Sequence, residues 1–173
     1  MADLQRMTTE YIDSEDRIRL SGELSPQATV VLWLTQRLVN RLLPHLLGWL
    51  EQQAGNGAVG ELFQGFAQQA AMATLEQQPP VQSAPQSQVW LVHAVNLTAA
   101  AEGVRLTFRG VGDTSAPEGS DAVGLTLHAQ PLRQWLGILH AQYCKADWPL
   151  TGWPDWLTEA HTATGHTSQA MLH

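Results

Sequence analysis

The sequence contains one cysteine, Cys144, and one lysine, Lys145, among 173 residues. A single cysteine excludes an intrachain disulfide, so the small secreted folds that depend on disulfide bridges are ruled out and a reducing compartment is expected. The first sixteen residues also lack the apolar core that a secretory signal peptide needs. We therefore predict a cytoplasmic protein.

Charged residues are scarce as well. Asp, Glu, Lys and Arg make up 14% of the chain, and the formal net charge is −7. A negative chain is a poor match for nucleic acid, because nonspecific binding there depends on neutralising phosphates. An apolar fraction of 44% with low charge is typical of a folded globular protein. We predict one folded domain that does not bind nucleic acid.

Motifs that name a reaction are absent too. The sequence has no phosphate-binding loop, dinucleotide-binding fingerprint, HExxH or CxxC, and we expect neither a cofactor nor a metal. An enzyme with scattered site residues would escape such a search, and four residues are candidates for a polar site: His93, His128, His140 and Cys144.

Two pairings among these candidates are conceivable. His140 and Cys144 lie one helical turn apart, but we interpret them as an ordinary thiol beside an imidazole, because nothing supplies an orienting group or an oxyanion hole. His93 and His128 lie on predicted strands and would need a carboxylate, such as Asp113 or Asp121, to complete a metal site. A lone histidine on an apolar strand face is more often a hydrogen-bonded core residue.

The most unusual feature that is present is the segment Val30–Leu50. Its few polar residues form one stripe, in which Arg37, Arg41 and His45 recur at every fourth position. An amphipathic helix normally hides an apolar face a little over 100° wide, whereas a helix here would have to hide most of its circumference. Central arginines argue against a transmembrane segment. The surplus apolar surface therefore predicts contact with a partner or a second subunit.

We predict one long helix over about 26–53, with Ser25 as N-cap, Pro26 in the first turn and a kink at Pro44. A second helix over 58–78 should pair with it in antiparallel fashion. The second helix carries apolar residues on helical spacing and a Gln- and Ala-rich opposite face.

Alternation of apolar and polar residues predicts the strands. Two short strands flank the acidic turn Asp13–Asp16. Three further strands and a final helix follow, at 88–98, 104–111, 122–128 and 131–146. The alternation through 88–98 is uninterrupted and places His93 on the apolar face.

These elements predict an α+β fold. A single antiparallel sheet of about five strands (ββ…βββ) would be covered on one face by the helical hairpin and the C-terminal helix. Residues 1–157 would form one domain, with a Pro/Ser/Gln surface linker at 79–88, followed by a flexible tail at 158–173.

The leading functional hypothesis is a non-enzymatic cytoplasmic assembly or accessory protein, homodimeric through the Leu/Trp-rich long helix. The alternative is a domain that binds a small apolar or amphipathic ligand between the sheet and the kinked helix; an enzyme with a scattered His-based site comes third. The candidate interface or ligand residues are Trp33, Arg37, Arg41, His45, Trp49, Trp148, Trp153 and Trp156. The last three tryptophans, set among prolines, are interpreted first as core closure and second as docking anchors.

Overall fold

The computed structural model describes residues 1–55, 57–112 and 122–160. Within these ranges the protein is α+β, with one mixed sheet of seven strands curled into a half-barrel and four helices. The chain divides into two compact units. The sheet unit comprises Met1–Leu42 and Gln78–His128, and the helical unit comprises Leu43–Gln77 and Ala129–His173.

The sheet contains five predicted strands and two that were not predicted. Its strands are β1 (Ala2–Asp3), β2 (Arg6–Ile12), β3 (Arg17–Ser25), β4 (Ala28–Leu34), β5 (Gln88–Ala99), β6 (Gly103–Gly112) and β7 (Ala122–His128). Their order across the sheet is β1-β7-β6-β5-β4-β3-β2. The pairs β1–β7 and β4–β5 are parallel, and the other neighbours are antiparallel. The α+β class is confirmed, whereas the prediction of about five strands, all antiparallel, is partly wrong.

Strand β4 corrects the prediction of a helix that starts at residue 26. Val30, Val31, Leu32 and Leu34 are all buried. A strand between two hydrogen-bonded neighbours can bury both faces, and it then shows a continuous apolar run instead of alternation. The parallel pairing of β4 with β5 requires a long crossover, which the intervening helices and linker supply.

The first helix, α1 (Gln36–Ala54), therefore begins ten residues later than predicted, at Gln36 instead of residue 26. Thr35 caps it, because the Leu38 N–H donates to the Thr35 hydroxyl at 3.2 Å. Pro44 lies inside the helix.

The first hairpin is confirmed and is longer than predicted. Strands β2 and β3 are joined by a single 3-10 turn, Asp13–Glu15, and Asp16 follows in the left-handed region with φ 47°. The Tyr11 hydroxyl donates to the Asp16 carboxylate at 2.9 Å, and this bond raises the pKa of Tyr11. The side chain of a β2 residue thus helps to fix the turn.

Strand β1 is too short to produce a sequence pattern. The Arg105 guanidinium donates to both Asp3 carboxylate oxygens, at 2.6 and 3.3 Å. The Leu4 N–H also donates to the Gly124 carbonyl at 2.8 Å. A bidentate ion pair of this kind fixes orientation as well as position, so these contacts hold β1 parallel to β7.

The uninterrupted alternation predicted for β5 is wrong. A bulge at His93, between Val92 and Ala94, shifts the register with β6. Trp90 and Val92 are buried before the bulge, and Val89 and Leu91 are exposed. A bulge adds one residue and so exchanges the faces of the side chains beyond it. His93 is therefore an exposed bulge residue and does not belong to a continuous apolar face.

The linker predicted at 79–88 lies along the sheet unit. The Val81 N–H donates to the Thr8 hydroxyl at 2.8 Å, and the Ala84 N–H donates to the Thr29 hydroxyl at 3.2 Å. Val81 itself is buried. These bonds anchor the linker to β2 and β4.

The helical unit contains the rest of α1 together with α2 (Ala58–Ala73), α3 (Ala129–Ala146) and a short helix, α4, over 155–160. Helix α2 ends at Ala73, earlier than the predicted residue 78, and α3 begins at Ala129, two residues before the predicted residue 131. Most of the tail predicted at 158–173 lies outside the described residues. No helix in the described part of the chain is long and apolar enough to cross a membrane.

Two glycines of α2 provide a matched test of the packing where α1 meets α2. A Cβ at Gly60 would lie 2.4 Å from the Gly55 carbonyl oxygen, whereas a Cβ at Gly65 would meet nothing within 4 Å. We expect Gly60→Ala to destabilise the protein by about 1–3 kcal/mol through overpacking. Gly65→Ala should stabilise it by roughly 0.5–1 kcal/mol through helix propensity. Urea denaturation measures both; equal stability of the two variants would contradict this packing.

Candidate functional site

Helix α2 has its two faces reversed relative to an ordinary surface helix. Its apolar stripe is in solvent, with exposed fractions of 81% for Val59, 62% for Leu62, 54% for Phe63 and 63% for Phe66. The opposite face carries Gln64 and Gln68, which are only 2% and 1% exposed. An amphipathic helix normally buries its apolar side, so this arrangement needs a physical cause.

Hydrogen bonds on the inner face provide that cause. The Gln64 side-chain amide donates to the Leu50 carbonyl at 2.8 Å, and the Gln68 amide donates to the Arg133 carbonyl at 2.8 Å. The Arg133 guanidinium in turn donates to the Gln64 side-chain oxygen. Buried polar groups are tolerated when they are hydrogen-bonded, and these amides connect α2 to α1 and α3.

Arg133 is a buried cation within this network. It forms no ion pair with a carboxylate of the described residues, and burial lowers its pKa. Its guanidinium carbon lies 5.7 Å from the centre of the Trp156 ring, within cation–π range. Arg133 therefore depends on Gln64 and Trp156 to offset its desolvation.

Helices α2 and α3 approach each other closely at Gly137. A Cβ at Gly137 of α3 would lie 2.4 Å from the Met72 sulfur and 3.3 Å from the Gln68 amide nitrogen. The absence of a side chain at Gly137 therefore lets Gln68 and Met72 of α2 pack directly against α3.

A cleft of about 840 Å³ borders the apolar stripe and lies wholly within the helical unit. Leu62 and Phe66 of the stripe line it, together with Trp153 and Trp156. Four carboxylates also line it, from Glu51, Glu61, Asp155 and Glu159. We call it the acidic cleft, because the described residues that line it include these four carboxylates and no arginine, lysine or histidine.

The four carboxylates are exposed. None of them forms an ion pair with a described residue. Like charges gathered around one opening produce a negative potential that attracts cations.

The tryptophans beside the cleft belong to an aromatic cluster. Trp153 packs edge-on against Tyr143 and against His140, with ring centres 5.2 Å apart in both cases. Its indole N–H is buried and has no acceptor among the described residues. Tyr143 is fully buried, and burial raises the pKa of its hydroxyl. The cluster holds the segment between α3 and α4.

The predicted interface residues are distributed over both units. Arg37, Arg41 and His45 form an exposed stripe on α1, and Trp33 is half-buried on β4. The other tryptophans named from the sequence are buried: Trp49, Trp148, Trp153 and Trp156. Only the last two of these line the acidic cleft.

Of the four polar-site candidates, the structure brings together His140 and Cys144. The Cys144 sulfur lies 3.9 Å from His140 Nδ1; the imidazole is buried and the thiol is exposed. Nucleophilic catalysis by such a pair would also require a third residue that orients the imidazole.

The other two candidates do not meet. His93 precedes Ala94, which pairs with Arg109 of β6. Arg109 in turn pairs with Ala122 at the start of β7, whereas His128 is the last residue of that strand. The six residue steps from Ala122 to His128 span roughly 20 Å along the strand. Asp113 and Asp121 lie outside the described residues. Among those described, no three His, Cys, Asp or Glu side chains are grouped so that they could hold a metal ion.

Sequence reasoning missed both the exposed stripe of α2 and the acidic cleft. A signal was present in the spacing of Gln64 and Gln68, one helical turn apart, because two amides on one helix face can be hydrogen-bonded in an interior. The clustering of carboxylates had no such signal, since it joins α1, α2 and α4. No family model matches the chain, and neither the curated proteins nor the solved structures with which it was compared include a match.

Proposed function

We propose that this chain is a non-enzymatic assembly or accessory protein of the cytoplasm that acts through protein–protein contacts. The observation that supports this is the outer face of α2, where four large apolar side chains stand in solvent on one stripe. Contiguous exposed apolar surface of this kind is typical of interaction sites, because leaving it in water is unfavourable.

We place the contact surface on α2, whereas the sequence had predicted a contact through the long helix that corresponds to α1. Leu43, Leu46 and Leu50 of α1 are buried. Only the polar stripe of that helix is exposed. The apolar surplus predicted for Val30–Leu50 is absorbed by the buried strand β4 and by the buried face of α1.

Self-association is the second candidate, and a different surface favours it. Leu91 on β5 lies opposite Trp33 on β4 and opposite Val111 on β6. Together with the exposed Val89 they form an apolar patch on the outer face of the sheet, which Arg19 of β3 and Arg109 of β6 flank. An apolar patch of this kind can face its own copy across a twofold axis, because the same surface is then used by both subunits.

The small-ligand alternative has less support. The acidic cleft is lined by four exposed carboxylates, whereas pockets for small apolar ligands are mainly hydrophobic with a few convergent polar groups.

Photo-crosslinking in cells that make the protein separates the two contacts. A photoreactive residue at position 63 is expected to give an adduct of discrete mass, which is lost when Leu62→Ser and Phe66→Ser are added. One at position 91 should give an adduct of twice the 19.0 kDa chain mass. Position 102, in an exposed turn, is the control and should give neither adduct. Absence of an adduct from position 63 would contradict the α2 contact. Absence of the twofold-mass adduct from position 91 would contradict the homodimer.

A further inference from the structure

We infer that the apolar stripe of α2 and the acidic cleft together dock a basic amphipathic helix of another protein. This inference rests on the proposed function and assigns the chemistry of the partner. It is carried by the continuity of the two features, because Leu62 and Phe66 belong to both.

The dimensions of the stripe suit a helix. The four large apolar side chains of the stripe run from Val59 to Phe66, which at 1.5 Å per residue is about 10 Å, or two turns. The exposed Ala70 and Ala73 continue the same face toward the end of the helix. A partner helix laid along it would offer apolar anchors at i, i+3, i+4 and i+7, the spacing used in helix-in-groove recognition. The cleft widens this surface on one side, toward Trp153 and Trp156.

The charge of the site selects the polar face of the partner. Six carboxylates stand in the described part of the helical unit, against two full cations, Arg133 and Lys145. Four of the six line the cleft. Arg133 does not neutralise them at the surface, because it is buried and bonded to Gln64. Lysine and arginine on the flanks of a docked helix would meet these carboxylates, and such complementarity favours both encounter and specificity.

The same charges disfavour the other occupants of an exposed apolar helix. A second copy docked through this face would bring two sets of four carboxylates together, and like-charge juxtaposition is costly. Anionic membranes and nucleic acids attract basic surfaces and repel acidic ones. A basic helix is the occupant that satisfies both the apolar and the electrostatic requirement.

The test uses the full chain and a synthetic 15-residue peptide with leucine at the anchor spacing and lysine elsewhere. Fluorescence anisotropy of the labelled peptide measures its binding to the protein. Saturable binding is expected, and it should weaken as salt is raised. A peptide with glutamate in place of lysine and a peptide of scrambled order should not bind. Neutral and anionic lipid vesicles are tested against the protein in parallel, without peptide, and the protein should not bind them.

Two sets of substitutions locate the binding. Neutralising the cleft with E51Q, E61Q, D155N and E159Q should weaken binding about 10-fold at low salt and flatten its salt dependence. L62S with F66S should weaken it by at least about 30-fold; these residues are exposed, so the fold should be retained. Two control sets should stay within about twofold of the parent: E15Q with E76Q and E102Q, and L91S with V111S.

The inference is overturned if the lysine peptide does not bind, if cleft neutralisation leaves its affinity unchanged, or if vesicles bind more tightly than the peptide. A twofold-mass adduct at position 63 would also overturn it, because the occupant would then be a second copy. These outcomes are distinct from failure of the proposed function. An adduct at position 63 without peptide binding removes only the basic partner, whereas no adduct removes the α2 contact itself.

Discussion

Gln64→Ala is expected to destabilise the protein by about 2–4 kcal/mol, although it replaces a polar residue by a good helix former. The substitution removes the bond to the Leu50 carbonyl and an acceptor of the Arg133 guanidinium. Arg133 is buried and has no carboxylate partner among the described residues, so the lost acceptor leaves its charge poorly compensated. Leaving a buried donor or charge unsatisfied costs more than the bond itself contributes.

The matched control is Phe63→Ala, at the neighbouring position of the same helix. Phe63 is exposed, so its loss should change the free energy of unfolding by less than about 1 kcal/mol. Chemical denaturation of both variants measures the difference. A larger loss for Phe63→Ala than for Gln64→Ala would mean that the apolar stripe is the buried face of α2 and would remove the basis of the proposed contact.

Trp153→Ala is expected to cost about 3–5 kcal/mol. The side chain is buried and makes edge-on contacts with His140 and Tyr143. Truncation would remove a large apolar area and leave a cavity beneath the acidic cleft. The melting temperature should fall by roughly 6–20 °C for a chain of this size.

Trp33→Ala provides the comparison for Trp153→Ala. Trp33 is half-buried on β4, and its loss should cost under about 1.5 kcal/mol. Calorimetry of the two variants gives the ranking directly. Comparable losses would show that Trp153 is not part of a packed aromatic cluster.

Elements with a clear local period could be predicted from the sequence. Strands β5 to β7 and helix α3 are present close to their predicted bounds, and the β2–β3 hairpin is present with longer strands than predicted. Alternation and helical spacing report one buried and one exposed face, and each of these elements has both. The bulge at His93 was missed because it interrupts the pattern at a single residue.

Strand β4 could not be predicted from the same rules. Its apolar run, Val30–Leu34, is equally compatible with a buried strand and with a buried helix. Pairing with β3 on one side and β5 on the other decides between them, and β5 is far away in the sequence.

Residue order and composition were enough to predict the α+β class, the local period of most elements and the amphipathic character of α2. The negative charge also follows from composition alone. Which face of α2 is buried was decided only by the tertiary structure. Helix α3 approaches α2 at Gly137 and offers the Arg133 carbonyl and guanidinium, so Gln64 and the amide nitrogen of Gln68 are hydrogen-bonded inside while Phe63 and Phe66 are left in solvent. Hydrophobic burial is nondirectional and can be met by several faces, whereas buried hydrogen bonds require specific partners in three dimensions.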